Sequence, residues 1–145
     1  MTKQDIFDKV WQHFIVEGHP PGLSKHTETG CSYNGPDGPC AVGLFLSPET
    51  GTALDEASPD IIDVIDYAQD RLNGNLEYWS DSHDFDTFEK MLDNEVKLLA
   101  THGQFLTALQ LAHDNTVKED LLPFRERFAE LLRGLAEGHG LKVPA

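Results

Sequence analysis

The sequence predicts a mainly α-helical fold: a bundle of about five helices with a small β-hairpin near residues 30–46, forming one domain over residues 1–145. Three observations predict it. Apolar residues recur at three- and four-residue spacing in five stretches. Glycine, proline and capping residues punctuate those stretches. Between the first two stretches, Gly30–Leu46 gathers both cysteines, four glycines and two prolines, a composition suited to a tight turn rather than a helix.

The first helix is expected from about Thr2 to Glu17. Thr2 followed by Asp5 reads as a capping box, and Ile6, Phe7, Val10, Trp11, Phe14 and Ile15 share one face before Gly18 and Pro20-Pro21 end it. A polar loop then leads to the turn Gly35-Pro36-Asp37-Gly38, in which proline presets φ and Gly38 supplies φ > 0. Ala41–Leu46 reads as an apolar strand, and Ser47–Gly51 closes the hairpin.

Helix two begins at Ser58-Pro59-Asp60, an N-cap followed by a proline at the first helical position, and runs to Gly74. Its apolar side is read as Ile61, Ile62, Val64, Ile65, Ala68 and Leu72. Asp63, Asp66 and Asp70 fall within about 60° of one another on the other side. Helix three spans about Asp86–Ala100 and breaks at Thr101-His102-Gly103. Helix four covers about Gln104–His113, and helix five about Asp120–Glu137.

Charge bounds the function. The net charge is −14, and residues 51–100 carry three Lys or Arg against thirteen Asp or Glu. Such a field repels nucleic acid and anionic membrane and attracts basic surfaces. No apolar run of about 18 residues exists to span a membrane. The first residues lack the pattern of a secretory signal, so cytoplasmic residence is the expectation, and there two cysteines are expected as free thiols.

The pattern Cys31-x-Tyr33-x-Gly35-Pro36-x-Gly38…Cys40-Ala41-x-Gly43-x-x-Leu46, with the later Leu109-Gln110-Leu111-Ala112-His113-Asp114 and the terminal His139-Gly140-Leu141, resembles a group of short, uncharacterised phage and bacterial proteins. This chain departs from the group in a shorter gap between the cysteines, and in Asn34 where an arginine is expected. The resemblance implies a phage or mobile-element origin and assigns no activity.

Four sets of residues could carry chemistry. Cys31 and Cys40 could be a redox pair, a nucleophile, or, with His19 and His26, a metal site. A zinc site, however, favours the short Cys-x2–4-Cys knuckle that this chain lacks. The plainer reading packs Cys40 as a small apolar residue and leaves Cys31 in the turn. His113-Asp114 resembles the dipeptide of the metal-dependent phosphohydrolases named for it. The downstream aspartate of that pattern is missing, since the last one, Asp120, is too close. Seven histidines and fourteen aspartates predict about 0.7 such dipeptides by chance, and two occur. The plainer role for the pair is at a helix end, His113 meeting the dipole and Asp114 capping the next segment. The acidic segment Asp81, Asp84, Asp86 and Glu89 fails the EF-hand pattern. With Asp63, Asp66 and Asp70 it could present charge at phosphate-like spacing, and a solvated face is the plainer alternative. Tyr33, Tyr78 and Trp79, aromatics expected in loops, suit either an interface anchor or the lid of a small core.

The reading reached is an acidic, non-catalytic binding protein that engages a basic protein partner and no nucleic acid directly. Its sharper form is a nucleic-acid mimic or anti-defence inhibitor. No cofactor is expected. The alternative is a small hydrolase or metal-binding enzyme with Cys31 or Cys40 as nucleophile or ligand, and with His113 and Asp114 as base and orienter. A third reading is a homodimer formed through Trp11 and Phe14 of the first helix.

Overall fold

The computed structural model describes residues 1–21, 32–34, 38–57, 59–117 and 123–144. Seven α-helices occur among them: α1 (Lys3–Trp11), α2 (Pro48–Ala57), α3 (Ile61–Leu72), α4 (Phe85–Glu89), α5 (Asp93–Thr101), α6 (Gly103–Val117) and α7 (Phe124–His139). None is long and apolar enough to cross a membrane.

The start of α1 follows the sequence closely. Thr2 Oγ1 accepts from the Asp5 N–H at 3.1 Å, and Asp5 returns the bond to the Thr2 N–H at 2.8 Å, so two orphan donors are satisfied reciprocally. The helix widens into a π-turn over Gln12–Val16. Arg125 on α7 then closes its end by donating to the carbonyls of Ile15, at 2.6 Å, and Val16.

Two aromatic clusters hold the helices together. In one, Phe14 meets Phe124 and Phe128 edge-on at 5.9 and 5.3 Å, joining the end of α1 to α7. In the other, Tyr67 of α3 meets Trp79 at 5.6 Å and Phe88 of α4 at 4.9 Å. Offset and edge contacts of this kind add about 0.5–1.5 kcal/mol each beyond the area they bury. The helix pair α3–α5 forms the most extensive contact, and α6 packs along α7. Where α6 begins, a Cβ on Gly103 would lie 2.6 Å from Ile65 Cγ2, so the absence of a side chain lets α6 reach α3.

Three expectations are corrected. No strand is present among the described residues. Gly38 does take φ +96°, and the Cys40 N–H donates to the Ser32 carbonyl at 2.9 Å, but the chain then coils instead of extending. Turn bonds from Leu44 to Cys40, Phe45 to Val42 and Leu46 to Gly43 form a 3-10 turn over Gly43–Phe45. Ala41, Val42 and Gly43 are all buried, so no alternating face exists for a strand to present. A Cβ at Gly43 would stand 2.5 Å from the Tyr33 carbonyl oxygen, which shows how tightly the two segments pass.

Second, Ser47–Gly51 opens a helix rather than closing a hairpin: Ser47 Oγ accepts from the Thr50 N–H at 3.2 Å, with Pro48 at the first position of α2. Third, the helix expected over 86–100 is two, α4 and α5, separated at Lys90–Leu92.

The sealed His113 network and the acidic face of α3

The last two turns of α6 carry His113 into the core. Leu106, Leu109, His113 and Thr116 follow one buried stripe, and the helix continues to Val117. His113 and Asp114 therefore lie inside α6 rather than at its end, and among the described residues the Asp114 side chain bonds to Gln110 and His113. His113 is 0 % exposed. Its Nδ1 lies 3.0 Å from Asp114 Oδ1. The same oxygen accepts from Gln110 Nε2 at 2.8 Å, while Gln110 Oε1 accepts from the Val42 N–H at 3.0 Å. A continuous chain of hydrogen bonds thus ties the cysteine segment to the His-Asp pair. With Nδ1 donating to the carboxylate, Nε2 is buried with no hydrogen-bond partner among the described residues, and the rings of Phe14, Phe124 and Phe128 pack around the imidazole with centroids 5.4–5.8 Å from its own. An oriented imidazole with a free nitrogen is the geometry of a general base, but here rings occupy the place of a substrate.

Cys40, also 0 % exposed, is disulfide-bonded, which corrects the expectation of a free thiol. Cys31 lies outside the described residues. A hollow of about 190 Å³ beside the segment is lined by Tyr33, Asn34, Pro39 and Leu46 among others, and by neither Cys40 nor His113. Tyr33 is buried against it. Loss of hydration pushes its phenol above the ordinary range, and the carboxylates of Asp114, Asp55 and Asp60 add to the shift.

Of the metal alternative, His26 and Cys31 lie outside the described residues. His19 is exposed, stacks on His13 at 4.2 Å and contacts Glu17 Oε1 at 3.1 Å. Burial, then the neighbouring His19, lowers the pKa of His13 below 6.5, and its Nε2 is buried without a hydrogen-bond partner among the described residues. No group of three or more metal-ligating side chains occurs among the described residues.

The acidic set divides. Asp63 and Asp66 stand exposed on the outer stripe of α3, and Asp81, Asp86 and Glu89 are exposed on the segment between α3 and α5. Asp84 is half-buried. Asp70, at the end of the stripe, is half-buried and accepts from Trp79 Nε1 at 2.7 Å. Trp79 is a core residue, which corrects its assignment to an interaction surface. Tyr78 is the opposite case, 81 % exposed with its ring edge against Trp79. Of the three basic residues between 51 and 100, Arg71 reaches Asp93 at 2.7 Å and the Met91 carbonyl at 2.9 Å. Asp63, Asp66, Asp81, Asp86 and Glu89 have no ion-pair partner among the described residues. Beside Asp66, Ile62 is 61 % exposed at the lip of a groove of about 340 Å³ between α3 and α6. Trp11 and Phe14 are both buried within this chain, so the apolar face of α1 is satisfied without a second copy.

Two carboxylates that sequence reasoning passed over organise the molecule. Glu95 is 2 % exposed and accepts from the Ser47 N–H, the Thr50 hydroxyl and the Leu92 N–H at 2.6, 2.8 and 2.8 Å, serving the starts of α2 and α5 together. Asp55 on α2 accepts from the Tyr33 and Asn34 N–H groups at 2.6 and 2.9 Å and from the Ser32 hydroxyl at 3.2 Å.

Neither the sequence nor the fold matches a known protein family, a curated protein or a solved structure.

Proposed function

We propose that this protein acts by recognition, engaging a basic protein through the outer stripe of α3 and the adjoining segment to Glu89. The observation that carries this reading is a set of exposed carboxylates without ion-pair partners among the described residues, Asp63, Asp66, Asp81, Asp86 and Glu89, bordered by exposed Ile62 and Tyr78. Unpaired charge sets the sign of the partner and speeds encounter, while an exposed tyrosine and isoleucine supply area that becomes apolar contact on binding. Its sharper form is a surface that stands in for nucleic acid on a basic groove, as an inhibitor encoded by a phage or mobile element would. The competing hydrolase reading needs an accessible imidazole and a thiol. Against it stand the complete burial of His113 and the disulfide at Cys40.

The test is affinity capture from a host extract on the immobilised wild-type protein and on Asp63→Lys/Asp66→Lys. The expected result is a basic protein retained by the wild type and lost from the variant at unchanged helicity. Retention of the same proteins by both would refute the assignment of the face.

A further inference from the structure

The geometry points to a binding site for a small organic anion, an aromatic body carrying a phosphate of mononucleotide size, in the cavity between α1, the 43–45 turn and α5. The cavity measures about 470 Å³, within the range of roughly 300–1,000 Å³ common for small-ligand sites. Asn94, Lys97, Leu98 and Thr101 line it from one face of α5, at the helical spacing i, i+3, i+4, i+7. Lys9 enters from α1 and Phe45 from the 3-10 turn, with the Lys9 ammonium 5.0 Å from the Phe45 ring centroid. His102, at the junction of α5 and α6, completes the wall, and its Nε2 lies 3.0 Å from the Met1 carbonyl oxygen. A carbonyl only accepts, so Nε2 carries the proton there and the ring is fixed in orientation.

The charge of this cavity is opposite to that of the chain. Its lining contains two lysines and no Asp or Glu, in a protein with 25 acidic and 11 Lys or Arg residues. Neither Lys9 nor Lys97 has a carboxylate within ion-pair distance among the described residues. Two unpaired ammonium groups beside an amide and a hydroxyl offer donors to a phosphate, and ammonium groups meet it as point charges. Phe45 and Leu98 give the apolar wall on which a planar ring can lie. A surrounding field of net −14 disfavours any anion held only loosely, so the cavity's selectivity falls on ligands that use cations and apolar wall together.

The experiment is calorimetry on the full chain with adenosine 5′-monophosphate and 1-naphthyl phosphate, alongside adenosine and inorganic phosphate. At least one of the two aryl or nucleoside phosphates should bind, with the uncharged nucleoside and the bare phosphate weaker by about tenfold or more. Lys9→Gln and Lys97→Gln, both surface changes, should each weaken binding roughly five- to tenfold, and Asp63→Lys/Asp66→Lys should leave it within about twofold. The inference is overturned if neither phosphate compound binds up to about 5 mM, if adenosine binds as well as its phosphate, or if either Lys9→Gln or Lys97→Gln binds like wild type.

Discussion

Replacing Glu95 by alanine removes one side chain and strands three donors, the N–H groups of Ser47 and Leu92 and the hydroxyl of Thr50. A hydrogen bond to a charged acceptor contributes about 1.5–3 kcal/mol, and an unsatisfied buried donor costs about 1–3 kcal/mol. Ser47 and Leu92 stand near solvent and regain water in part, whereas Thr50 is buried. The expected loss is therefore about 3–5 kcal/mol, a large share of the stability of a domain this size. Glu95→Gln keeps one acceptor oxygen and should lose less, about 1–3 kcal/mol. Urea unfolding followed by circular dichroism measures both. A double-mutant cycle with Thr50→Val isolates the bond between them, with an expected coupling of about 1–2 kcal/mol. A loss below about 1 kcal/mol for Glu95→Ala, or strict additivity with Thr50→Val, would show that Glu95 does not couple the starts of α2 and α5.

Other outcomes rest on the same structure. Gly103→Ala places a methyl group 2.6 Å from Ile65 Cγ2 and should destabilise by about 1–3 kcal/mol, with Ile65→Ala in the same chain recovering part of the strain; a neutral effect would contradict the close approach of α6 to α3. Tyr33 has its pKa raised by folding, so its contribution is complete below the ordinary value of 10.0 and is lost as pH rises above it. Tyr33→Phe should extend the alkaline limit of the fold in a pH-resolved melting series, and an unchanged limit would refute the burial argument. His13 has its pKa lowered, so the folded state resists protonation: stability is complete above 6.5 and declines as pH falls through that value. His13→Gln should flatten the dependence between about pH 7 and 5, in a window above that of the lowered carboxylates Asp5 and Glu17, whose contributions fade below their ordinary values of 3.8 and 4.5.

The helical class was legible because the apolar stripes of α1, α3, α6 and α7 repeat at helical spacing, and the capping box of Thr2 and Asp5 was legible to the residue. The outer stripe of α3 came from the same periodicity. Other features escaped because tertiary contact or ambiguous local chemistry decided them. Ser47-Pro48-Glu49 has the same form as Ser58-Pro59-Asp60, from which a helix start was expected, yet next to an expected strand it read as a turn; at the second of these sites α3 begins only at Ile61, with Asp60 at its N-cap and Ser58 outside the described residues. Ala41–Leu46 is apolar enough for a strand, but burial of consecutive residues around Gly43 favours a 3-10 turn. Glu95 had a visible signal: it occupies the apolar stripe Phe88, Leu92, Val96, Leu99 of the neighbouring turns, where a carboxylate persists only if donors meet it. His113 gave the same sign by following Leu106 and Leu109 at helical spacing, a position that marks a buried side chain. Trp79 and Tyr78 are adjacent and chemically alike; only the partner of the indole N–H, Asp70, separates the one that faces inward from the one that faces solvent.

Recognition through the acidic face has a direct physical signature, because exposed charges interact across distances comparable to the Debye length, about 10 Å at 0.1 M salt. The deciding measurement is the Kd of the captured partner, determined by calorimetry between about 50 and 500 mM salt for the wild type and for Asp63→Lys/Asp66→Lys. A wild-type Kd that rises at least tenfold across that range, and a variant that binds at least tenfold more weakly at the lowest salt, is the expected result. An affinity indifferent to ionic strength, or unmoved by reversing the two charges, would contradict the account.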